Sequence, residues 1–263
     1  MSQSKKIIVI KIGTNTITMS DGRPDLRFMA GVAQQVENLK QNGFDVILVS
    51  SGAIGCGIKI LNLANRPSEN LALKQACAAI GQSELMRNWQ IAFQNLVVSQ
   101  HLVTHSVMKH ENTLYDFKKC LFEVLNLGAI PIINDNDAIS TEEIDARFTD
   151  NDELAVEVAR AIKADKLIIL SDIHGLFSDN PKTNPEAKLI KIVSQIDEQI
   201  LGLAHGVSSL GTGGMHSKLL SIHKAMQVEI EVCLTYGKLE NAILKAFETD
   251  FEGTRFISNP QKP

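Results

Sequence analysis

Apolar residues recur along this chain in two rhythms: short unbroken runs, and longer stretches at helical spacing. Ile7 to Ile12 is apolar everywhere except Lys11, and Val46 to Val49 is apolar throughout. Such runs mark strands buried on both faces of a parallel sheet. Between them Leu26, Met29, Val32, Ala33, Val36 and Leu39 share one helical face, and Gly43 follows as a stop. Ala129 to Ile133 and Lys166 to Leu170 repeat the strand pattern, Leu96 to Leu102 is a shorter version, and Ile230 to Leu234 and Arg255 to Ile257 are late strands. Helical spacing covers Asn70 to Phe93, with Gly81 as a candidate interruption, then Glu111 to Leu127 before Gly128, and Asn151 to Ala164. Ile190 to Leu203 is partly helical, after a loop rich in Pro, Asn and Asp from Gly175 to Ala187. Leu219, Leu220, Ile222, Ala225 and Met226 carry one more helix. Strand, helix, strand order predicts right-handed βαβ units and a three-layer α/β/α sandwich around a mostly parallel sheet, with ligands at the carboxyl ends of the strands. No repeat or composition shift marks a linker, so one domain is expected over 1–263.

The totals narrow the partners. At 263 residues, with 44% hydrophobic and 21% charged residues, the chain has the composition of an ordinary globular domain. A net charge of −4 argues against a nucleic-acid binder held by backbone phosphates. The first apolar run is cut by Lys11, and no run approaches the ~18 residues of a membrane span, so no membrane partner is expected. Cys56, Cys77, Cys120 and Cys233 are scattered without a CxxC, which points away from a disulfide framework or a protein-held metal and towards the cytoplasm.

Polar residues then gather where the predicted strands end. Lys11 interrupts a buried strand two residues before Gly13, where its ammonium needs a partner or a cleft; a lysine snorkelling to solvent is the plainer alternative. Ser51 ends the second strand, Asn134-Asp135-Asn136-Asp137 the next, and Ser171-Asp172 another. An Asx-rich turn would explain the Asn134 run equally well. Asp150-Asn151-Asp152 opens a helix: Asp150 with Glu153 matches a capping box, which leaves Asp152 unexplained. Gly211-Thr212-Gly213-Gly214-Met215-His216-Ser217-Lys218 puts three glycines before a helix N-terminus and a lysine in its first turn, a phosphate cradle or simply a surface turn. Familiar nucleotide signatures fail: Ile58 stands where Walker A needs Lys, and the GxGxxG pattern breaks at its third glycine. His101 and His105 have a metal-like spacing without the Glu of HExxH.

In order, Val9-Ile-Lys11-Ile-Gly-Thr14, Val49-Ser-Ser51-Gly-Ala-Ile54, Pro131 to Asp137, Asp150 to Asp152, Ser171-Asp172 and Gly211 to Lys218 resemble the amino-acid kinase family, in its glutamate-phosphorylating branch. Lys74-Gln75, Gly81-Gln82, Asp179 to Pro181 and Gly253-Thr254 also fit, so the resemblance spans the chain. It implies ATP-dependent phosphorylation of the side-chain carboxylate of L-glutamate, at the first step of proline biosynthesis, with Mg²⁺, proline as feedback inhibitor and a homo-oligomer. By the same resemblance Lys11, Lys218 and Asp152 are catalytic. Ser51, Asp137, Asn151, Asn134 and Asp150 hold glutamate; Lys11, Ser171, Asp172, Thr212, Gly213, Gly214, Met215, His216, Ser217 and Lys218 hold ATP. The implied division is a glutamate lobe over about 1–165 and a nucleotide lobe over about 166–263, without the C-terminal domain that many relatives carry. Thr149 departs from a family glycine, and Tyr236-Gly237 from a small residue before glycine. A same-fold kinase with another acceptor (N-acetylglutamate, a carbamate or a nucleoside monophosphate) and a non-catalytic nucleotide-binding regulator stay open. The acidic Asn134 run speaks against a nucleotide acceptor, and retention of both lysines with Asp152 against a regulator.

Overall fold

The strand β1 (Ile7–Ile12) organises the sheet, pairing in parallel with β2 (Asp45–Ser50) on one side and β5 (Lys166–Ser171) on the other. A computed structural model describes residues 5–19, 22–65, 67, 70–139, 150–206 and 214–258. Beyond β2 the sheet continues through β4 (Ile130–Asp135) to the edge strand β3 (Val98–Val103). Beyond β5 it continues through β7 (Glu231–Tyr236) and β8 (Thr254–Phe256) to β6 (Ile192–Val193). Among the described residues the order is β3-β4-β2-β1-β5-β7-β8-β6, and only the β7–β8 pairing is antiparallel. The expected three-layer, mostly parallel sandwich is therefore present. The chain builds outward on one side of β1 and then crosses to β5 on the other, so a switch point lies at β1, where open α/β sheets form their ligand crevice.

Alternation along the strands decides which helix each side chain meets. Ile8, Ile10 and Ile12 share one core with buried residues of α2 (Leu26–Gln41), α4 (Leu71–Phe93) and α10 (Ala242–Lys245). Val9 instead faces the other core, built from α6 (Glu111–Asn126), α7 (Asn151–Ile162) and α9 (Met215–Met226). Lys11, two residues after Val9, points to that second face, and the crossover helix α7 begins there.

Shorter helices complete the layers: α1 (Thr14–Ile17) after β1, α3 (Ala53–Ile60) after β2, α5 (His105–Lys109) after β3, and α8 (Glu198–Gly202) before a 3₁₀ turn at Leu203–Gly206. The helix expected from Asn70 to Phe93 runs without the interruption suggested at Gly81. Gly81 serves a different end. A Cβ there would lie 1.9 Å from the Ala53 carbonyl oxygen, and one on Gly57 would lie 1.9 Å from that of Cys77. The two glycines let α3 and α4 pack backbone to backbone. His101 lies in β3 and His105 opens α5, so the pair is not on one helix. No helix among the described residues is long and apolar enough to cross a membrane.

Candidate active site

Asp152 is the centre of the carboxyl-edge crevice. It sits in the first turn of α7, 2% exposed, and both its oxygens meet lysine ammonium groups. Lys11 Nζ, from β1, lies 2.6 Å from Oδ1, while Lys218 Nζ, from the first turn of α9, donates to Oδ2. Lys11 is 7% and Lys218 6% exposed, so three charges share a largely dehydrated space. Burial opposes the charge on Asp152, but the two ammonium groups outweigh it and hold the carboxyl far below its usual range. Burial likewise opposes the charge on Lys218, and the Asp152 carboxylate raises its pKa in spite of it. Two cations and one anion give the bridge itself one surplus positive charge, and the carboxyl groups of Asp150 and Asp172 are near enough to act on Lys218 as well.

Asp150 and Asp152 take separate partners, Asp150 at the helix cap and Asp152 between the two lysines. Asp150 caps α7, accepting from the N–H groups of Asp152 at 2.8 Å and Glu153 at 3.0 Å. That fixes the helix start and so aims Asp152. Ser217 Oγ lies 3.4 Å from the other oxygen of Asp150, and Lys224 Nζ is 2.9 Å from Glu153, tying α9 to α7. Burial, and then the charge on Asp152, raise the Asp150 pKa.

On the β2 and β4 side, the amides form a chain. Asn151 Nδ2 donates to Ser51 Oγ at 2.7 Å and to Asn134 Oδ1 at 2.9 Å, and Asn134 Nδ2 donates to Gln82 Oε1 at 3.0 Å. Asp135 and Asp137 follow at the end of β4. Burial and the charge on Asp137 push the Asp135 carboxyl up to about 7. On the β5 side, Asp172 Oδ2 accepts from Asn15 Nδ2 at 2.9 Å, and Ser171 Oγ lies 3.3 Å from its other oxygen. Burial disfavours the Asp172 charge, yet the Asn15 hydrogen bond brings its pKa below the usual value. Backbone bonds stitch the edge together: Gly13 N–H to Leu170 O at 3.2 Å, Ser51 N–H to Ile12 O at 3.1 Å, and Gly237 N–H to Ser171 O at 2.8 Å.

The helix α9 opens at Gly214 with no side-chain cap among the described residues, which leaves its first-turn N–H groups without a capping side chain there. Met215 turns its side chain into the core, where it also borders an apolar cavity with Ile173, Leu176, Phe177 and Leu203. His216 and Ser217 lie in the same first turn. Thr212 and Gly213, like Thr149, lie outside the described residues. Sequence reasoning gave no role to Gln82 or Asn15. A polar residue on a buried helix face was the available signal for Gln82, and an Asn directly after a strand-end glycine and threonine for Asn15.

The donor set bears on a metal. Asp152 is committed to two lysines, Asp150 to a helix cap and Asp172 to Asn15. Among the described residues, no group of three or more His, Cys, Asp or Glu could hold a metal ion. These side chains suit a cation that arrives on phosphate oxygens better than one caged by protein.

With this geometry in place, comparison with known proteins is direct. The chain is 38% identical over 260 residues to a glutamate 5-kinase of Enterococcus faecalis, covering 97% of this chain and 96% of that one. It is 39% identical over 253 residues to a glutamate 5-kinase of Clostridium acetobutylicum, covering 95% and 94%. A glutamate 5-kinase of Thermus thermophilus is 41% identical over 255 residues but longer, with 68% of its length matched. Among solved structures, an isopentenyl phosphate kinase of T. acidophilum superposes with a TM-score of 0.66 at 16% identity, covering 95% of this chain and 99% of that one, a likeness of fold. The sequence profile of the Amino acid kinase family matches residues 6–235. With most of its length inside that profile and end-to-end relatives near 40% identity, the chain belongs to the amino acid kinase family.

Proposed function

We propose that this protein transfers the γ-phosphoryl group of ATP to the side-chain carboxylate of L-glutamate, giving ADP and L-glutamyl 5-phosphate, the first step of proline biosynthesis. The observation that carries the reading is the buried Lys11–Asp152–Lys218 bridge at the switch point of the sheet. The glutamate 5-kinase relatives supply the acceptor.

A glutamate side chain with a pKa near ~4.3 is already ionised at neutral pH, so the nucleophile needs no general base. A carboxylate oxygen forms the new bond to the γ-phosphorus. The bond from that phosphorus to the β,γ-bridging oxygen breaks, and ADP leaves with the electron pair. The difficulty is bringing one anion to another and stabilising charge on the transferring oxygens. Lys11 and Lys218 meet that need from different elements, and Asp152 keeps both ammonium groups aimed at one point. Mg²⁺, entering with the nucleotide rather than held by a protein cage, would supply further charge neutralisation beside Lys11 and Lys218.

In this reading Ser51, Asn134, Asp137, Asn151 and Asp150 form the acceptor side, within the lobe of about 1–165. Ser171, Asp172 and Thr212 to Lys218 form the nucleotide side, within about 166–263, and His174 stacked on Tyr236 at 4.9 Å edges that side. Feedback by proline and a homo-oligomeric assembly belong to the same reading. The free cysteines of the described chain suit a reducing compartment, and we assign the protein to the cytoplasm.

An acceptor panel with ADP release as the readout tests the function. L-Glutamate should give Mg²⁺-dependent ADP release, and N-acetylglutamate, carbamate and nucleoside monophosphates should not. Turnover with one of the others and none with glutamate would overturn it.

A further inference from the structure

Gln82 lies on α4, 7% exposed, and belongs to neither lysine nor phosphate machinery, yet it ends the amide chain that reaches the acceptor side. The direction of that chain is fixed at one point by the backbone. Asp135 N–H can only donate, and it donates to Asn134 Oδ1 at 3.0 Å. The Asn134 amide must therefore turn its NH₂ the other way, where Gln82 Oε1 accepts it at 3.0 Å. Asn134 Oδ1 then faces Asn151, which must present its own NH₂. Both hydrogens of Asn151 Nδ2 are spent, one on Asn134 and one on Ser51. Two consequences follow. Asn151 Oδ1 stays an acceptor to which nothing donates among the described residues, and Ser51 accepts from Asn151 and so keeps its hydroxyl proton to give. The acceptor side thus offers an oxygen suited to an ammonium group beside a hydroxyl donor suited to a carboxylate.

We propose that Gln82 is a positioning residue that locks this polarity and so makes the site select an acceptor bearing an α-ammonium group. The inference deepens the glutamate reading and rests on it. Without the Gln82 acceptor, a buried Asn134 NH₂ has no partner. The amide regains one by rotating, at the cost of the Asp135 N–H bond. With Gln82 present that rotation would lose two bonds, without it only one, and it withdraws Oδ1 from Asn151 and frees that side chain to turn its NH₂ towards substrate. The close α3–α4 packing through Gly57 and Gly81 holds Gln82 within reach, beside Ala53, two residues after Ser51.

The test compares L-glutamate with glutarate, which has the same carbon chain and both carboxylates but no amino group. The quantity is the inhibition constant of glutarate divided by the KM for glutamate. In Gln82→Met this ratio should fall about 10-fold, the scale of one lost hydrogen bond to a charged group, while the KM for ATP stays within about 2-fold. Gln82→Glu keeps an acceptor for Asn134 Nδ2 and should keep the wild-type ratio. Should the Met variant fail to fold, Gln82→Ala, which suits a helix, carries the same comparison. An unchanged ratio, with both affinities or turnover lowered together, would overturn the role and leave Gln82 a packing residue. Wild-type protein that phosphorylates no glutamate would overturn the function itself and the inference with it.

Discussion

Lys218 and Lys11 reach one carboxylate from helix and strand, and each is costly to bury unless its charge is used. Lys218→Ala leaves Asp152 paired with Lys11, so the fold should survive with a native circular dichroism spectrum. Turnover should drop about 10³-fold, the scale for losing a group that stabilises developing charge. Turnover within a few-fold of wild type would remove Lys218 from the site. Asp135 invites a pH experiment. Its native pKa, near 7 against the usual 3.8, means that the folded protein holds this proton more tightly than the unfolded chain. That contribution to stability is full below the unfolded value and is lost as pH rises through about 7. Asp135→Asn has no proton to lose, so thermal midpoints should show it gaining on wild type between pH 5 and pH 8. A gap that does not change with pH would show that Asp135 is an ordinary carboxylate. Lys11 was legible in the sequence because a lysine inside an apolar strand demands an explanation, and Asp152 because a capping box accounts for Asp150 and Glu153 without it. The Gln82 contact was not, since no spacing rule says which polar residue of a long helix turns inward.

At the scale of elements, β1, β2, β4 and β5 and the helices α2, α6 and α7 follow from apolar periodicity, because each buries a whole face. The short α1, α3 and α5 do not, and α5 buries no residue at all. The two-residue β6 is too short to carry a period, and it depends on β8 beside it. The antiparallel β7–β8 pairing was likewise invisible, since pairing direction is set by the connection rather than by composition. Gly81 shows the opposite failure: glycine weakens a helix in isolation, yet here it permits an approach that a side chain would forbid. Gly81→Ala would drive a methyl group into the Ala53 carbonyl, a backbone atom that cannot swing aside. Urea unfolding should register a loss of about 3 kcal/mol or more, at the upper end of overpacking costs. A loss below about 1 kcal/mol would mean that α3 and α4 part without penalty.

Over the whole molecule, the site is a product of topology. β1 brings Lys11, α7 crosses the sheet to bring Asp152, and α9 returns from the other half with Lys218, so no contiguous stretch contains the bridge. Sequence pattern located each strand end, but the meeting of the three charges depends on strand order, which periodicity does not encode. The central claim is that a glutamate carboxylate oxygen attacks the γ-phosphorus at this meeting point. The most direct measurement uses L-glutamate labelled with ¹⁸O in both side-chain carboxylate oxygens, with ATP, Mg²⁺ and hydroxylamine to cleave the acyl phosphate at its carbonyl carbon. Mass spectrometry of the released phosphate should find one ¹⁸O per phosphate, carried over from the substrate. Phosphate without ¹⁸O would mean that water, not glutamate, had taken the phosphoryl group, and would contradict the account.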